Sequence, residues 1–163
     1  MGRQLSTMRK RFFPLLLLPL GIGLSGFLLL KYPRKSSRKK TLSASSVFDE
    51  ALKGSGYESM TRFIFAQSQV ESANFTSNLF ISQNNAFGMK NARIRPTTGF
   101  PVEGTEFAGY TDLKSSIQDL LLWFDYTGFP NVSDVNTYVR KLKDRNYFEE
   151  GQQDYINAMN SWL

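Results

Sequence analysis

Glu71 is the residue whose type and position most invite chemistry. In the stretch "SMTRFIFAQSQVESAN", Met60, Phe63 and Ile64 mark one stripe of a helix. At about 100° per residue, Gln67, Glu71 and Asn74 fall on that same stripe, with Val70 just beside it. A carboxylate on a core-facing stripe is unfavourable unless it is paired, protonated or lining a cleft. No Lys or Arg stands three or four residues away to pair with it. Two readings follow. Glu71 is either a helix-end carboxylate that turns to water or meets a distant Arg, or a carboxyl partly buried against aromatic surface. In the second case the ionised form is disfavoured and the group keeps a proton that it can donate as a general acid. Cleavage of a glycosidic bond needs such an acid at the leaving oxygen.

The composition narrows the alternatives. The chain has no cysteine and no histidine, which excludes disulfides, thiolate nucleophiles, Ser-His-Asp and Cys-His systems and any His-ligated metal. Neither a metal site nor a cofactor is expected. The net charge of +6 is unevenly placed: residues 1–40 carry ten Lys/Arg and no acid, whereas residues 41–163 carry ten against fourteen Asp/Glu. The later segment is therefore mildly acidic, and no nucleic-acid partner is expected.

Residues 12–30, "FFPLLLLPLGIGLSGFLLL", form an uncharged run of 19 residues. At about 1.5 Å per residue this is long enough to cross a hydrocarbon core of about 30 Å as a transmembrane helix. Residues 1–11 form its basic flank, and residues 31–46, "KYPRKSSRKKTLSASS", a basic, Ser-rich linker. A cleaved signal peptide is the main rival, but Lys31, Tyr32 and Pro33 make a poor small-residue cleavage site. An uncleaved, single-pass anchor is the expectation. Four Lys/Arg precede the run and six follow it closely, so the charge count favours a cytoplasmic C-terminal domain. The function inferred below requires the periplasmic or extracellular side, and the conflict stands.

Residues 47–163 have the length of one compact domain. The pattern predicts a short helix over Val47–Lys53, the helix bearing Glu71 over Ser59–Asn74, and a long loop region from about residue 76 to 110 with a short hairpin. A helix capped by Thr111 or Asp112 then runs to Tyr126 with Ile117, Leu120, Leu121 and Phe124 at core spacing. Another, capped by Ser133, carries Val135, Tyr138, Val139 and Leu142. A last helix turns Tyr155, Ile156 and Met159 inward.

Three blocks in order, "AQSQVES", "NNAFGMK" and "FAGYTDLKSSIQDLLLWF", make residues 57–160 resemble the glucosaminidase domains of glycoside hydrolase family 73. The resemblance implies a mainly α, lysozyme-like helical fold with a long loop and short β-hairpin excursion, here preceded by a transmembrane helix. It also implies cleavage of the glycan strands of peptidoglycan at N-acetylglucosamine. By the same resemblance Glu71 is the general acid, and Asn84, Asn85, Phe87, Gly88 and Lys90 form the loop that closes the cleft; Gln67, on the same stripe as Glu71, is a further candidate for binding substrate. Tyr110 matches the tyrosine that faces the acid. Phe87 reads equally as core packing and Gly88 as a left-handed turn. Ser116, Ile117 and Asp119 read as cap and packing.

The family's second carboxylate has no clear counterpart. Glu103 and Glu106 lie in a shortened connection, and Glu103, beside Gly104, is the candidate. If neither reaches the cleft, the substrate's own acetamido group can act as the internal nucleophile. A non-catalytic glycan-binding or wall-assembly module on the same fold, and a phage-type lytic enzyme with an anchor, are the competing functions.

Overall fold

The computed structural model describes residues 43–149 and 151–163. The basic flank, the apolar run 12–30 and the linker up to residue 42 lie outside the described residues, so the anchor is not tested there. Among the described residues no helix is long and apolar enough to cross a membrane.

Helix α1, Ala44–Leu52, begins three residues earlier than the apolar pattern indicated, because Ser43 caps it: its Oγ accepts the Ser46 N–H at 3.3 Å. A short 3₁₀ turn, Glu58–Met60, leads into α2, Thr61–Glu71. Helix α2 buries Phe63, Ile64, Ala66, Gln67 and Ser68. It stops three residues short of the expected Asn74. The backbone after Ser72 turns left-handed, with φ of 50°, 55° and 63° at Ala73, Asn74 and Phe75. Asn74 is consequently exposed in a turn and does not share the inward stripe.

That turn is held from both ends. Ser72 Oγ donates to Ser68 O at 2.6 Å and accepts the Phe75 N–H at 2.8 Å. Asn74 N–H reaches back to Gln69 O at 2.7 Å, and Ser77 N–H to Ser72 O at 2.9 Å. Phe75 also packs between Phe65 and Phe80, with ring centroids 6.0 and 5.2 Å away.

The region read as loop contains one more helix, α3, Asn78–Gln83, capped by Ser77. It buries no residue fully, which is why no apolar period announced it. The expected hairpin is present as β1, Phe100–Pro101, antiparallel to β2, Ala108–Gly109, with Phe100 opposite Gly109. Lys90 forms a further bridge to Phe107.

Helix α4, Leu113–Thr127, is capped by Asp112, which accepts the Ser115 N–H at 2.7 Å. Gly128, at φ 61°, closes its other end. Asp134, rather than Ser133, caps α5, Val135–Lys143. Helix α6, Gln152–Asn160, follows and buries Tyr155, Ile156 and Met159 as expected. Helix α2 is central and packs on both α1 and α6; α1 also lies on α4, and α5 on α6. The core between them is aromatic: Phe124 stacks on Phe129 at 4.2 Å, and Phe48 meets Phe65 edge-on at 5.0 Å.

Candidate active site

Glu71 is the last residue of α2 and is half-buried. Because α2 packs on α6, its end stands against the first turns of that helix. Tyr155 Oη donates to Glu71 Oε1 at 2.5 Å, and the Tyr155 ring is fixed by a flat stack on Phe148 at 4.1 Å. A groove of about 290 Å³ opens beside the carboxyl, lined by Val70, Glu71, Asp154, Tyr155 and Ala158.

The opposite side of Glu71 is the loop 84–90. Gly88 has φ 60°, and a Cβ placed on it would stand 3.6 Å from Glu71 Oε2. The glycine supplies the left-handed turn that brings this backbone beside the carboxyl. Tyr147 Oη ties this loop down by donating to Phe87 O at 2.6 Å. On α5, Tyr138 Oη donates to Gln67 Oε1 at 2.5 Å. The Gln67 side chain is fully buried one turn before Glu71. Its Nε2 has no partner in hydrogen-bond geometry, although the amide lies by the Tyr147 oxygen.

One phenol, Tyr155, bonds the carboxyl, and two more, Tyr138 and Tyr147, lie near enough to feel its charge. Burial pushes the Tyr138, Tyr147 and Tyr155 hydroxyls well up from the ordinary phenol value, and the Glu71 charge pushes each further. They stay protonated and act as donors.

Tyr110 is placed differently. Its buried hydroxyl donates to Asp119 Oδ2 at 2.8 Å, and Arg95 grips the same carboxylate through two bonds of 2.9 and 2.8 Å. Burial raises the Tyr110 phenol, and the Asp119 charge and hydrogen bond add to the rise. For Asp119, burial alone would raise the carboxyl. Hydrogen bonds from Arg95, Thr97 and Tyr110, with the Arg95 charge, hold it below the usual range instead. The tyrosine bonded to Glu71 is thus Tyr155, while Tyr110 belongs to a buried Arg95–Asp119–Tyr110 cluster that pins the hairpin to α4.

The remaining predicted residues mainly shape the loop. Asn85 is 1% exposed; its Nδ2 donates to Met89 O and Ala108 O, and its Oδ1 accepts from the Phe87 and Met89 N–H groups. Asn84 takes a left-handed φ of 52° at the end of α3 and donates to Tyr110 O at 3.0 Å. Phe87 is buried, edge-on to Phe48 at 6.2 Å. Lys90 is exposed and pairs with Glu106 at 3.1 Å. Glu103 is exposed in the hairpin turn, where Thr105 N–H bonds Val102 O. No hydrogen bond or ion pair joins it to Glu71. Ser116 is more than packing, since its Oγ accepts the Ala86 N–H at 3.1 Å and docks the loop on α4.

Sequence reasoning missed Tyr155 as a site residue, reading it as core. It is 84 residues from Glu71, so no local spacing links the two. Arg95 was missed because its partner lies 24 residues away across the hairpin. Among the described residues no group of His, Cys, Asp and Glu that could hold a metal ion occurs.

A family model, described as "Glucosaminidase: Mannosyl-glycoprotein endo-beta-N-acetylglucosaminidase", matches residues 46–163. No curated protein and no solved structure matches the chain.

Proposed function

The chain belongs to the glucosaminidase family and is a glycoside hydrolase; from that premise we propose that it cuts peptidoglycan glycan strands at N-acetylglucosamine with Glu71 as general acid. Family membership implies peptidoglycan as substrate. The observation that carries the assignment of Glu71 is its carboxyl at the groove beside α6, with Oε1 held by Tyr155 and Oε2 facing Gly88. Tyr155 fixes the carboxyl's orientation, so that the second oxygen is the one presented to a leaving group. Proton transfer to the glycosidic oxygen releases the downstream strand as the C1–O bond breaks.

The loop built by Asn84, Asn85 and Phe87 holds Gly88 against the acid, and Lys90 stands at its outer end. Glu103, exposed in the hairpin turn, is the proposed second carboxylate. Where it does not reach C1, the acetamido oxygen of the substrate takes its role. The domain is lysozyme-like in this reading. Residues 12–30 anchor it in a membrane, with the domain on the periplasmic or extracellular side, where its substrate lies.

The test is Glu71→Gln assayed on purified sacculi for new reducing ends. Loss of about 10²–10⁴-fold in rate is expected of a general acid, with the melting temperature kept or slightly raised. Cleavage at the wild-type rate removes Glu71 from the mechanism.

A further inference from the structure

The hairpin carries an aromatic ring that the fold does not bury. Phe100 on β1 is 44% exposed, and it lies across the strand from Gly109 on β2. A Cβ placed on Gly109 would stand 2.5 Å from Phe100 Cε2 and 2.8 Å from both Phe100 Cζ and Gln83 Oε1. One edge of the ring and the amide end of Gln83 therefore converge over a backbone position that admits no side chain. The outer part of the ring faces solvent. The Gln83 side-chain amide makes no hydrogen bond to the protein among the described residues, so a donor and an acceptor stand unused beside a half-exposed aromatic ring.

These groups belong to the wall that faces the acid. Gln83 ends α3 and its carbonyl accepts the Tyr110 N–H at 2.8 Å. The chain then runs through Asn84 and Asn85 to Gly88, whose Cβ position is 3.6 Å from Glu71 Oε2. Gln83 and the residue facing Glu71 thus stand at the two ends of one short loop, five residues apart.

We propose that Phe100 and Gln83 form a stacking site for one pyranose ring of the glycan strand, away from the bond that is cut. This rests on the glycan-cleaving reading above. A pyranose presents an apolar C–H face ringed by hydroxyl and acetamido groups. The site offers the complement: an aromatic face with one amide at its edge, the pattern of apolar surface and few placed polar groups that ligand sites share. A single ring is too small a surface for a protein partner. Gly109 sets the ring's height, and a larger residue there would displace it. Shielding of the Gly109 backbone is the purely structural role of the ring, one that aromatic residues serve best; Gln83→Ala leaves that cover in place and so separates the two roles.

The test is a binding titration in the full chain carrying Glu71→Gln, with a peptide-free oligosaccharide of alternating N-acetylglucosamine and N-acetylmuramic acid as the probe. Phe100→Leu should weaken binding by about threefold to tenfold. Phe100→Tyr should restore it, and Gln83→Ala should weaken it as well. Unchanged affinity in Phe100→Leu overturns the proposal, as does a loss that Phe100→Tyr fails to recover or a parent chain that shows no binding. If Phe100→Leu does not fold, Gln83→Ala decides, and wild-type affinity there overturns it. Cleavage is read separately with Glu71 intact. A chain that binds through Phe100 but does not cleave overturns the general-acid reading and leaves this site standing. A chain that cleaves normally, with affinity indifferent to the ring, overturns this site alone.

Discussion

Ala73 sits at φ 50°, between Ser72 and two further left-handed residues, and replacing it with glycine should stabilise the domain. For an L-residue the left-handed region costs roughly 1–2 kcal/mol, because Cβ crowds the following carbonyl. Asn74 tolerates this conformation, and Phe75 is compensated by its packing between Phe65 and Phe80. Ala73 has neither a polar side chain nor a partner ring. Glycine removes the crowding but adds about 0.5–1 kcal/mol of chain entropy to be lost on folding. The balance is a gain of about 0.5–1 kcal/mol, or about 2–4 °C in melting temperature for a domain of this size. Thermal unfolding followed by circular dichroism reads it directly. Ala66→Gly is the control with the opposite sign: Ala66 is buried inside α2, where glycine is worse than alanine by about 1 kcal/mol before any lost packing is counted. If both substitutions destabilise equally, residues 73–75 do not form a left-handed turn in solution. The account of why α2 ends at Glu71 would then be wrong.

Further outcomes follow from two named contacts and from the apolar run 12–30. Tyr155→Phe deletes the hydrogen bond to Glu71 while keeping the stack on Phe148; loss of the bond that orients the acid predicts a fall of roughly ten- to a hundredfold in cleavage of sacculi, with the melting temperature lowered by no more than one hydrogen bond accounts for. Asp119→Asn leaves Arg95, whose side chain is 7% exposed, without its counter-charge and should destabilise by about 3–5 kcal/mol in denaturant titrations. Because the folded-state Asp119 carboxyl lies below its ordinary value, its stabilisation is present above about pH 4, the ordinary carboxylate range, and is lost as pH falls through the lower folded value; acid titrations of wild type and Asp119→Asn should converge there. Full-length chain should be recovered uncleaved in the membrane fraction and released by detergent, and recovery in the soluble fraction would remove residues 12–30 as an anchor.

The helices were legible because their burial is periodic. Ile117, Leu120, Leu121 and Phe124 in α4, and Tyr138, Val139 and Leu142 in α5, recur at helical spacing and are all buried. The start of α4 was legible because Asp112 caps it, whereas the caps at Ser43, Ser77 and Asp134 were not singled out. Two features were not. Helix α3 lies on the surface and buries nothing fully, so hydrophobic spacing is silent about it. The end of α2 is set by Ser72 bonding back to Ser68 and forward to Phe75, a local competition that the apolar stripe does not register. For the site, Glu71 stood out because it broke a pattern. Tyr155 did not, because a tyrosine on an inward stripe is indistinguishable from core until the fold brings α6 against the end of α2.

That difference bears on how a chain without histidine places a proton. Tyr138, Tyr147 and Tyr155 all carry phenols pushed well above their ordinary value by burial and by the Glu71 charge, so none of them changes protonation near neutral pH. Each can donate a hydrogen bond, and none can accept the proton that an ordinary base would take. The hydrogen bond from Tyr155 consequently holds Glu71 in one orientation across the working range without titrating itself. It follows that the pH dependence of cleavage has to come from carboxyl groups. A Tyr155→Phe variant should therefore lose rate, and any movement of its alkaline limb, where a general acid loses its proton, reports the change in the environment of Glu71. An alkaline limb that Tyr155→Phe abolished rather than shifted would mean that the phenol itself ionises, contrary to the burial that surrounds it.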